Sequence, residues 1–321
     1  MPSALGPGPP DTIRSIMLRP TDPPRRKEHP VTRRFAASCV YSIESRFWLC
    51  QVEGVRPTRY NALVLLAIDV GNTNIVLGGY DGEHLVASWR VNTDASRMPD
   101  EYAVLFDGLL RYVNRSLADV TAVALASVVP ALTTTFEEMT HQYCNCEPIV
   151  VGPGTRTGVK ILYENPREVG ADRIANAVAT FRRCGGPAIV IDFGTATTFD
   201  ALSKDGEYLG GAIAPGLTIS ADALFQRAAR LYRVELKRPK SAIGRNTGAS
   251  VQAGLIFGYV GLIEGIIARF QQEMGPARVI ATGGLSSVIA SETSAIEIID
   301  PLLTLEGLRL IYEMSQPVPV G

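Results

Sequence analysis

Ile68-Asp69-Val70-Gly71-Asn72-Thr73-Asn74 is followed, after a short apolar stretch, by Asp81-Gly82-Glu83-His84-Leu85. The chain then writes the same sentence again as Ile191-Asp192-Phe193-Gly194-Thr195-Ala196-Thr197 and Asp205-Gly206-Glu207-Tyr208-Leu209. Each passage reads as an apolar strand ending in Asp-x-Gly, small polar residues, a second strand and an Asp-Gly turn. Glycine lets backbone N–H groups approach an anion closely, and threonine or asparagine adds side-chain donors. An aspartate at the strand end can hold a hydrated cation against phosphates. One copy alone would read as an ordinary hairpin with a polar turn. Two copies with matched Asp-Gly-Glu turns point to two phosphate-holding hairpins that face each other.

The repeat sets the domain plan. Asp69 and Asp192 stand about 120 residues apart, one small-domain length. The 321 residues leave room for two such cores. We expect an extension over 1–61, a first α/β domain over 62–184 and a second over 185–321. The extension is rich in proline and in basic clusters such as Arg25-Arg26-Lys27. Without sustained apolar periodicity it reads as disordered, and the folded pattern starts abruptly near Leu63 and Val64, where we expect the natural start. A net charge of −1 gives no electrostatic footprint for nucleic acid. Five cysteines at irregular spacing do not describe a disulfide framework, so the chain reads as reduced and cytoplasmic.

Along the body, the apolar run 63–68, then 74–80 and 85–91, reads as a three-stranded meander. Helices are expected from Pro99, from Pro130 to about His141, and over 171–183. Strands are expected over 121–126 and 148–151, with an extended piece at 159–163. The order restarts at Ala188, with helices at 217–231, 251–272 and 303–314 and a strand at 279–281. Strands precede helices twice, the pattern of two mixed α/β domains with a cleft between them. His141, Cys144 and Cys146 lack the spacing of a metal site and read as a helix end with free thiols. The apolar stretch 251–267, with Gly254, Gly258, Gly261 and Gly265, reads as a packed helix because Glu264 interrupts it too early for a membrane span.

No Gly-x-x-x-x-Gly-Lys-Ser/Thr loop and no Gly-x-Gly-x-x-Gly fingerprint follows a strand, so the common nucleotide motifs are absent. Thr282-Gly283-Gly284 adds a glycine turn suited to lying beside a base or ribose. With these features the chain resembles the acetate kinase, sugar kinase, Hsp70 and actin superfamily, which closes two duplicated ribonuclease-H-like domains (the actin-like ATPase fold) over ATP. The resemblance sharpens in Gly154-Thr155-Arg156-Thr157-Gly158-Val159, Tyr163, Gly170-Ala171-Asp172-Arg173-Ile174-Ala175-Asn176, Asp192 to Thr198, and Gly210 to Gly216. In order and spacing these are similar to type III pantothenate kinases, from about residue 63 to the C-terminal helix.

The resemblance implies an ATP-dependent kinase acting on the terminal hydroxyl of pantothenate, the first step of coenzyme A synthesis. It implies Asp172 as the proton acceptor, whereas spacing alone would read that residue as a plain helix-start carboxylate. Tyr163, Gly170, Ala171, Asp172, Arg173 and Thr247 would hold pantothenate, Arg173 pairing with its carboxylate. Asp69, Val70, Gly71, Asn72, Thr73, Asn74, Ile75 and Val76 would cradle the ATP phosphates, and Thr195 would add a donor. Asp192 would carry a monovalent cation, K+ or NH4+, or alternatively associate with the Mg2+ that accompanies the nucleotide. A homodimer with a shared substrate pocket is implied, with neither nucleic acid nor membrane as a partner. Two other readings fit twin hairpins: another small-molecule kinase of the superfamily, and a nucleotide-binding regulator that closes without phosphorylating anything.

Overall fold

The computed structural model describes residues 65–228 and 231–316. The expectations for 1–61 and for the start near Leu63 lie outside the described residues. The first repeat opens with β1 (Leu65–Val70), β2 (Asn74–Asp81) and β3 (His84–Asn92). It continues with α1 (Pro99–Arg111), β4 (Ala122–Ser127), α2 (Pro130–Tyr143), β5 (Ile149–Val150) and α3 (Ala171–Cys184). The second has β6 (Ala188–Phe193), β7 (Ala196–Leu202), β8 (Tyr208–Pro215), α4 (Leu217–Arg227) and α5 (Thr247–Met274). It ends with β9 (Arg278–Gly283), α6 (Ser286–Ala290), β10 (Ile298–Ile299) and α7 (Leu303–Ser315).

The sheets have the orders β3-β2-β1-β4-β5 and β10-β9-β6-β7-β8. Counted from the β8 edge, the second repeats the first strand for strand. Meander pairs are antiparallel, and β4 and β9 run parallel to β1 and β6. Even the register irregularities correspond, at Gly79/Tyr80 and at Ala201/Leu202. Gly82 and Gly206 take positive φ in the Asp-Gly turns, which glycine does without a Cβ penalty.

Strand alternation builds three cores. Leu66, Ile68 and Val70 face α1 and α2, where Tyr102, Phe106 and Phe136 stack around centroid distances of 4.7–5.8 Å. Ile189 and Ile191 face α5 and α6. The opposite faces, Leu65 and Ala67 on β1 with Ala188 and Val190 on β6, share a central core with α3 and α7. Both helices reach across: α3 packs on β6 and β7 of the second sheet as well as on β4 of the first, while α7, from the second repeat, packs on β1, β2 and β4. They cross where a Cβ on Gly307 would lie 2.0 Å from the Ala175 carbonyl oxygen, so only glycine permits this approach.

Helix ends follow local chemistry. Pro99 and Pro130 occupy first turns, where no N–H partner is lost, and Glu101 accepts from the Met98 amide at 2.9 Å. α5 begins a turn before the expected Val251, since Asn246 caps it by accepting from Ala249 N at 2.8 Å. α4 ends at Arg227, short of the expected Leu231. The expected extended piece is joined to the sheet through Ile161, which bridges to Tyr208.

Contrary to expectation, Glu264 does not interrupt α5 short of a membrane-spanning length. The helix runs for 28 residues with a window of mean hydropathy 1.7, so by length and composition it is long and apolar enough to cross a membrane. Its Ile256, Tyr259, Val260, Ile263 and Ile267 nevertheless pack against the second sheet.

Candidate active site

Asp69 and Asp192 sit at corresponding places near the ends of β1 and β6, each part-buried. Burial pushes the Asp69 carboxyl well above the usual range, and the charges of Asp172 and Asp192 raise it further. Burial, then Asp172, pushes Asp192 up to about 7. Asp172 itself is raised chiefly by burial, against the lowering effect of the Arg173 amide, which donates to its Oδ1 at 2.8 Å. Three carboxylates from three elements therefore feel one another. Arg90 on β3 is the cation that offsets Asp69 and Asp192.

Glycines make room for these acids. A Cβ on Gly170 would stand 2.4 Å from Asp172 Oδ1, and one on Gly283 would stand 2.6 Å from Asp192 Oδ1. The late Thr-Gly-Gly turn thus lies against the second hairpin's aspartate. Arg90 reaches the same turn, since a Cβ on Gly284 would meet its Nη1 at 3.2 Å. The two hairpins touch directly through Thr73 Oγ1 and Thr195 Oγ1 at 2.8 Å.

Within the first hairpin, Asn72, Thr73 and Asn74 are exposed. The Gly71 amide closes the turn on the Asn74 carbonyl at 3.0 Å, so that donor is spent internally. Val70 and Ile75 bury their side chains in the outer core, leaving only their backbone to meet a ligand. Strand alternation already carried that signal: with Asp69 on the cleft face, Val70 must point away.

On the other side, Tyr163 lies with its ring centroid 6.3 Å from that of Tyr208. Gly170 caps α3, Ala171 faces the central core, and Asp172 and Arg173 follow in the first turn. Thr247 stands exposed in the first turn of α5. Among the described residues no hydrogen bond or ring contact joins it to Tyr163, Asp172 or Arg173. Arg173 is no solvated surface arginine. It is 7% exposed and pairs with Asp200, a residue the sequence reading missed along with Arg90, Asn176 and Thr304. Thr304 Oγ1 donates to Asn176 Oδ1 at 2.8 Å, and Asn176 Nδ2 donates to Asp192 Oδ2 at 3.2 Å. The signal for Asp200 was a lone acid inside an apolar strand, which needs a partner when buried.

Two surface hollows of about 420 and 480 Å³ open beside the 152–169 loop; neither is lined by Asp69, Asp172 or Asp192. The carboxylates instead gather where the two hairpins meet.

Two facing hairpins, helices exchanged between duplicated sheets and acids converging in the cleft define the actin-like ATPase and sugar-kinase fold. Solved structures agree at the level of fold. A protein named a 2-dehydro-3-deoxygalactonokinase, from Sinorhizobium meliloti, superposes with a TM-score of 0.52 at 13% identity, covering 80% of this chain and 98% of that one. A Baf-family protein named for transcriptional activation, from Campylobacter jejuni, gives 0.50 at 21% identity, covering 77% and 97%. The family model for type III pantothenate kinase matches residues 65–269. A type III pantothenate kinase of Moorella thermoacetica is 57% identical over 253 residues, covering 78% of this chain and all of its relative. That of Myxococcus xanthus is 55% identical over 250 residues, covering 78% and 98%. The chain belongs to the type III pantothenate kinase family.

Proposed function

We propose that the chain transfers the terminal phosphoryl group of ATP to the terminal hydroxyl of pantothenate, the first step of coenzyme A synthesis. The observation that carries the chemistry is Asp172: a part-buried carboxylate in the first turn of α3, next to a buried arginine and within electrostatic reach of both hairpin aspartates. Phosphoryl transfer asks a protein mainly for positioning, charge neutralisation and a destination for the hydroxyl proton. Asp172 accepts that proton. Its raised affinity for protons makes it a better base than an exposed aspartate. Arg173 holds the pantothenate carboxylate, with Tyr163 and the Gly170–Ala171 backbone beside it. The 69–76 hairpin and Thr195 hold the ATP phosphates, and Arg90 offsets their charge.

The acids of the cleft are under-compensated by cations, which suits a metal-nucleotide. Among the described residues no three metal-ligating side chains form a cage. A cation would therefore be held by one or two carboxylates together with phosphate oxygens and water, Mg2+ at Asp69 and K+ or NH4+ at Asp192. Bound there, the cations supply neutralisation of phosphate charge.

We also propose a homodimer in the cytoplasm. Gly254, Gly258 and Gly261 of α5 face open space, Ile213 and Tyr232 are 66% and 60% exposed, and among the described residues Thr247 makes no hydrogen bond or ring contact with the other pantothenate residues. A partner's Thr247 would complete the pocket. Free thiols at Cys144, Cys146 and Cys184 suit a reducing compartment. Residues 62–184 and 185–321 are proposed as the two repeats, with 1–61 outside them. ADP release with pantothenate and Mg-ATP, with potassium present or omitted, tests the activity. Folded protein without turnover in either condition rejects it, and a one-chain mass by light scattering at micromolar concentration rejects the dimer.

A further inference from the structure

Arg173 carries a partner that no part of the phosphoryl-transfer scheme requires. Its Nε donates to Oδ1 of Asp200 at 2.7 Å and its Nη2 lies 2.6 Å from the same oxygen as an ion pair, with the two side chains 8% and 0% exposed. Tyr208 Oη donates to the same oxygen at 2.7 Å, and Thr198 Oγ1 reaches the other at 3.5 Å. The Arg173 guanidinium carbon lies 5.7 Å from the centroid of the Tyr208 ring. Gly211, opposite Asp200 in the β7–β8 register, clears the space: a Cβ there would stand 2.7 Å from Arg173 Nη2. One edge of the guanidinium is thus fixed, while Nη1 makes no hydrogen bond among the described residues. Tyr208 also anchors the Tyr163 segment, donating its amide to Lys160 and accepting from Leu162 at 2.9 and 2.8 Å.

A buried ion pair is poor evidence of stabilisation, because desolvation offsets its attraction and apolar replacements are often neutral or better. This molecule contains its own apolar replacement. Arg173 is the third residue of α3, and Leu305 is the third residue of α7. Asp200 lies two residues past Thr198, which opposes Asp192; Gly78 lies two past Val76, which opposes Asp69. Gly78 and Leu305 meet, since a Cβ on Gly78 would stand 2.9 Å from Leu305 Cδ1. The same helix-on-strand contact is therefore apolar in one repeat and charged in the other. The fold does not need the charges at this place.

We propose that Asp200, held by Tyr208, is a positioning residue: it locks Arg173 so that its free Nη1 edge meets the carboxylate of the substrate. This rests on the reading of Arg173 as the carboxylate ligand. The test compares pantothenate with pantothenol, in which an alcohol replaces the carboxylate, in the full-length enzyme. Asp200→Asn is expected to lower the preference for pantothenate over pantothenol about tenfold or more, through KM for pantothenate, with far less change in KM for ATP. Tyr208→Phe, which removes one donor and leaves the ion pair, is expected to shift the preference several-fold in the same direction, and it reads the proposal should Asp200→Asn not fold. Arg173→Met tests the parent reading. If Arg173→Met collapses the preference while neither Asp200→Asn nor Tyr208→Phe alters it, the positioning role is overturned and the parent reading stands. If Arg173→Met leaves the preference intact, the parent reading fails, and the positioning role with it. Equal losses for both substrates in Asp200→Asn and Tyr208→Phe would mark a structural role and overturn the proposal.

Discussion

In the first hairpin Asp69 opposes Val76, which opposes Arg90; in the second, Asp192 opposes Thr198, which opposes Ile213. The helix that packs on each meander differs in the same sense. α3 brings Asp172 and Arg173 to the second sheet, whereas α7 brings Thr304 and Leu305 to the first. One backbone plan therefore carries a cation beside the first aspartate and an acid-arginine pair beside the second. The cleft has two similar walls and an unequal distribution of charge. A reaction with a triphosphate on one side and a carboxylate-bearing acceptor on the other needs that inequality, because matched walls would bind two similar ligands.

The most severe break in the comparison is Asp172→Asn, which gives the second wall an uncharged side chain where α7 has Thr304. Turnover should fall at least about 10³-fold with ATP affinity retained, measured by ADP release and by nucleotide titration. Lost ATP binding would move Asp172 into the nucleotide site. Stability should move the other way. Burial raises the folded-state value of Asp172, so its ionised form destabilises the fold above that value. In ligand-free protein at pH 8 the variant should be more stable than wild type, read as a higher Tm. The gain should shrink as the pH falls through the raised folded value and vanish below the unfolded value of about 3.9, where wild-type Asp172 is neutral in both states. The same raised value puts the acid limb of wild-type kcat/KM above the ordinary carboxylate range.

Next in size are the paired aspartates themselves. Asp69→Asn should raise the Mg-ATP requirement roughly 10–100-fold, and Asp192→Asn should chiefly weaken potassium activation, each read by titrating one cation at saturating levels of the other. Identical cation profiles for the two variants would make the walls equivalent and remove the distinction between them. Arg90→Gln should follow, with kcat/KM for ATP down about tenfold and KM for pantothenate little changed.

Much of this was legible in the chain. The Asp-x-Gly hairpins, the Asp-Gly turns at Gly82 and Gly206, and the helices begun by Pro99 and Pro130 are set by residues adjacent in sequence. Periodicity and turn chemistry therefore expose them. The exchange of α3 and α7 between sheets is set by contacts such as Gly307 on Ala175, which no local pattern announces. Arg173 was visible as a cation, but its partner Asp200 lies on another strand, and Arg90 becomes a cleft residue only once β3 is aligned two strands from Asp69. Val70 and Ile75 were drawn into the site by their motif although alternation turns their side chains into the outer core.

The smallest expected effect sharpens the comparison most, because it concerns the counterpart of the base. Thr304 holds in α7 the second position that Asp172 holds in α3. Its hydroxyl supports the Asn176 side chain, which in turn donates to Asp192. Thr304→Val keeps the shape and removes the donor, leaving the buried Asn176 carbonyl without its partner at a cost of about 1–2 kcal/mol. Thermal unfolding should register roughly 2–8 °C. Since Asn176 still reaches Asp192 but is less firmly held, potassium activation should weaken a few-fold while kcat at saturating potassium stays within about threefold of wild type. A loss comparable to that of Asp172→Asn would mean that both helix starts act on the substrate, and the division of labour between the walls would be wrong. A small, cation-linked loss means that the repeat kept one position in both helices and gave it proton transfer in α3 and support of Asp192 in α7.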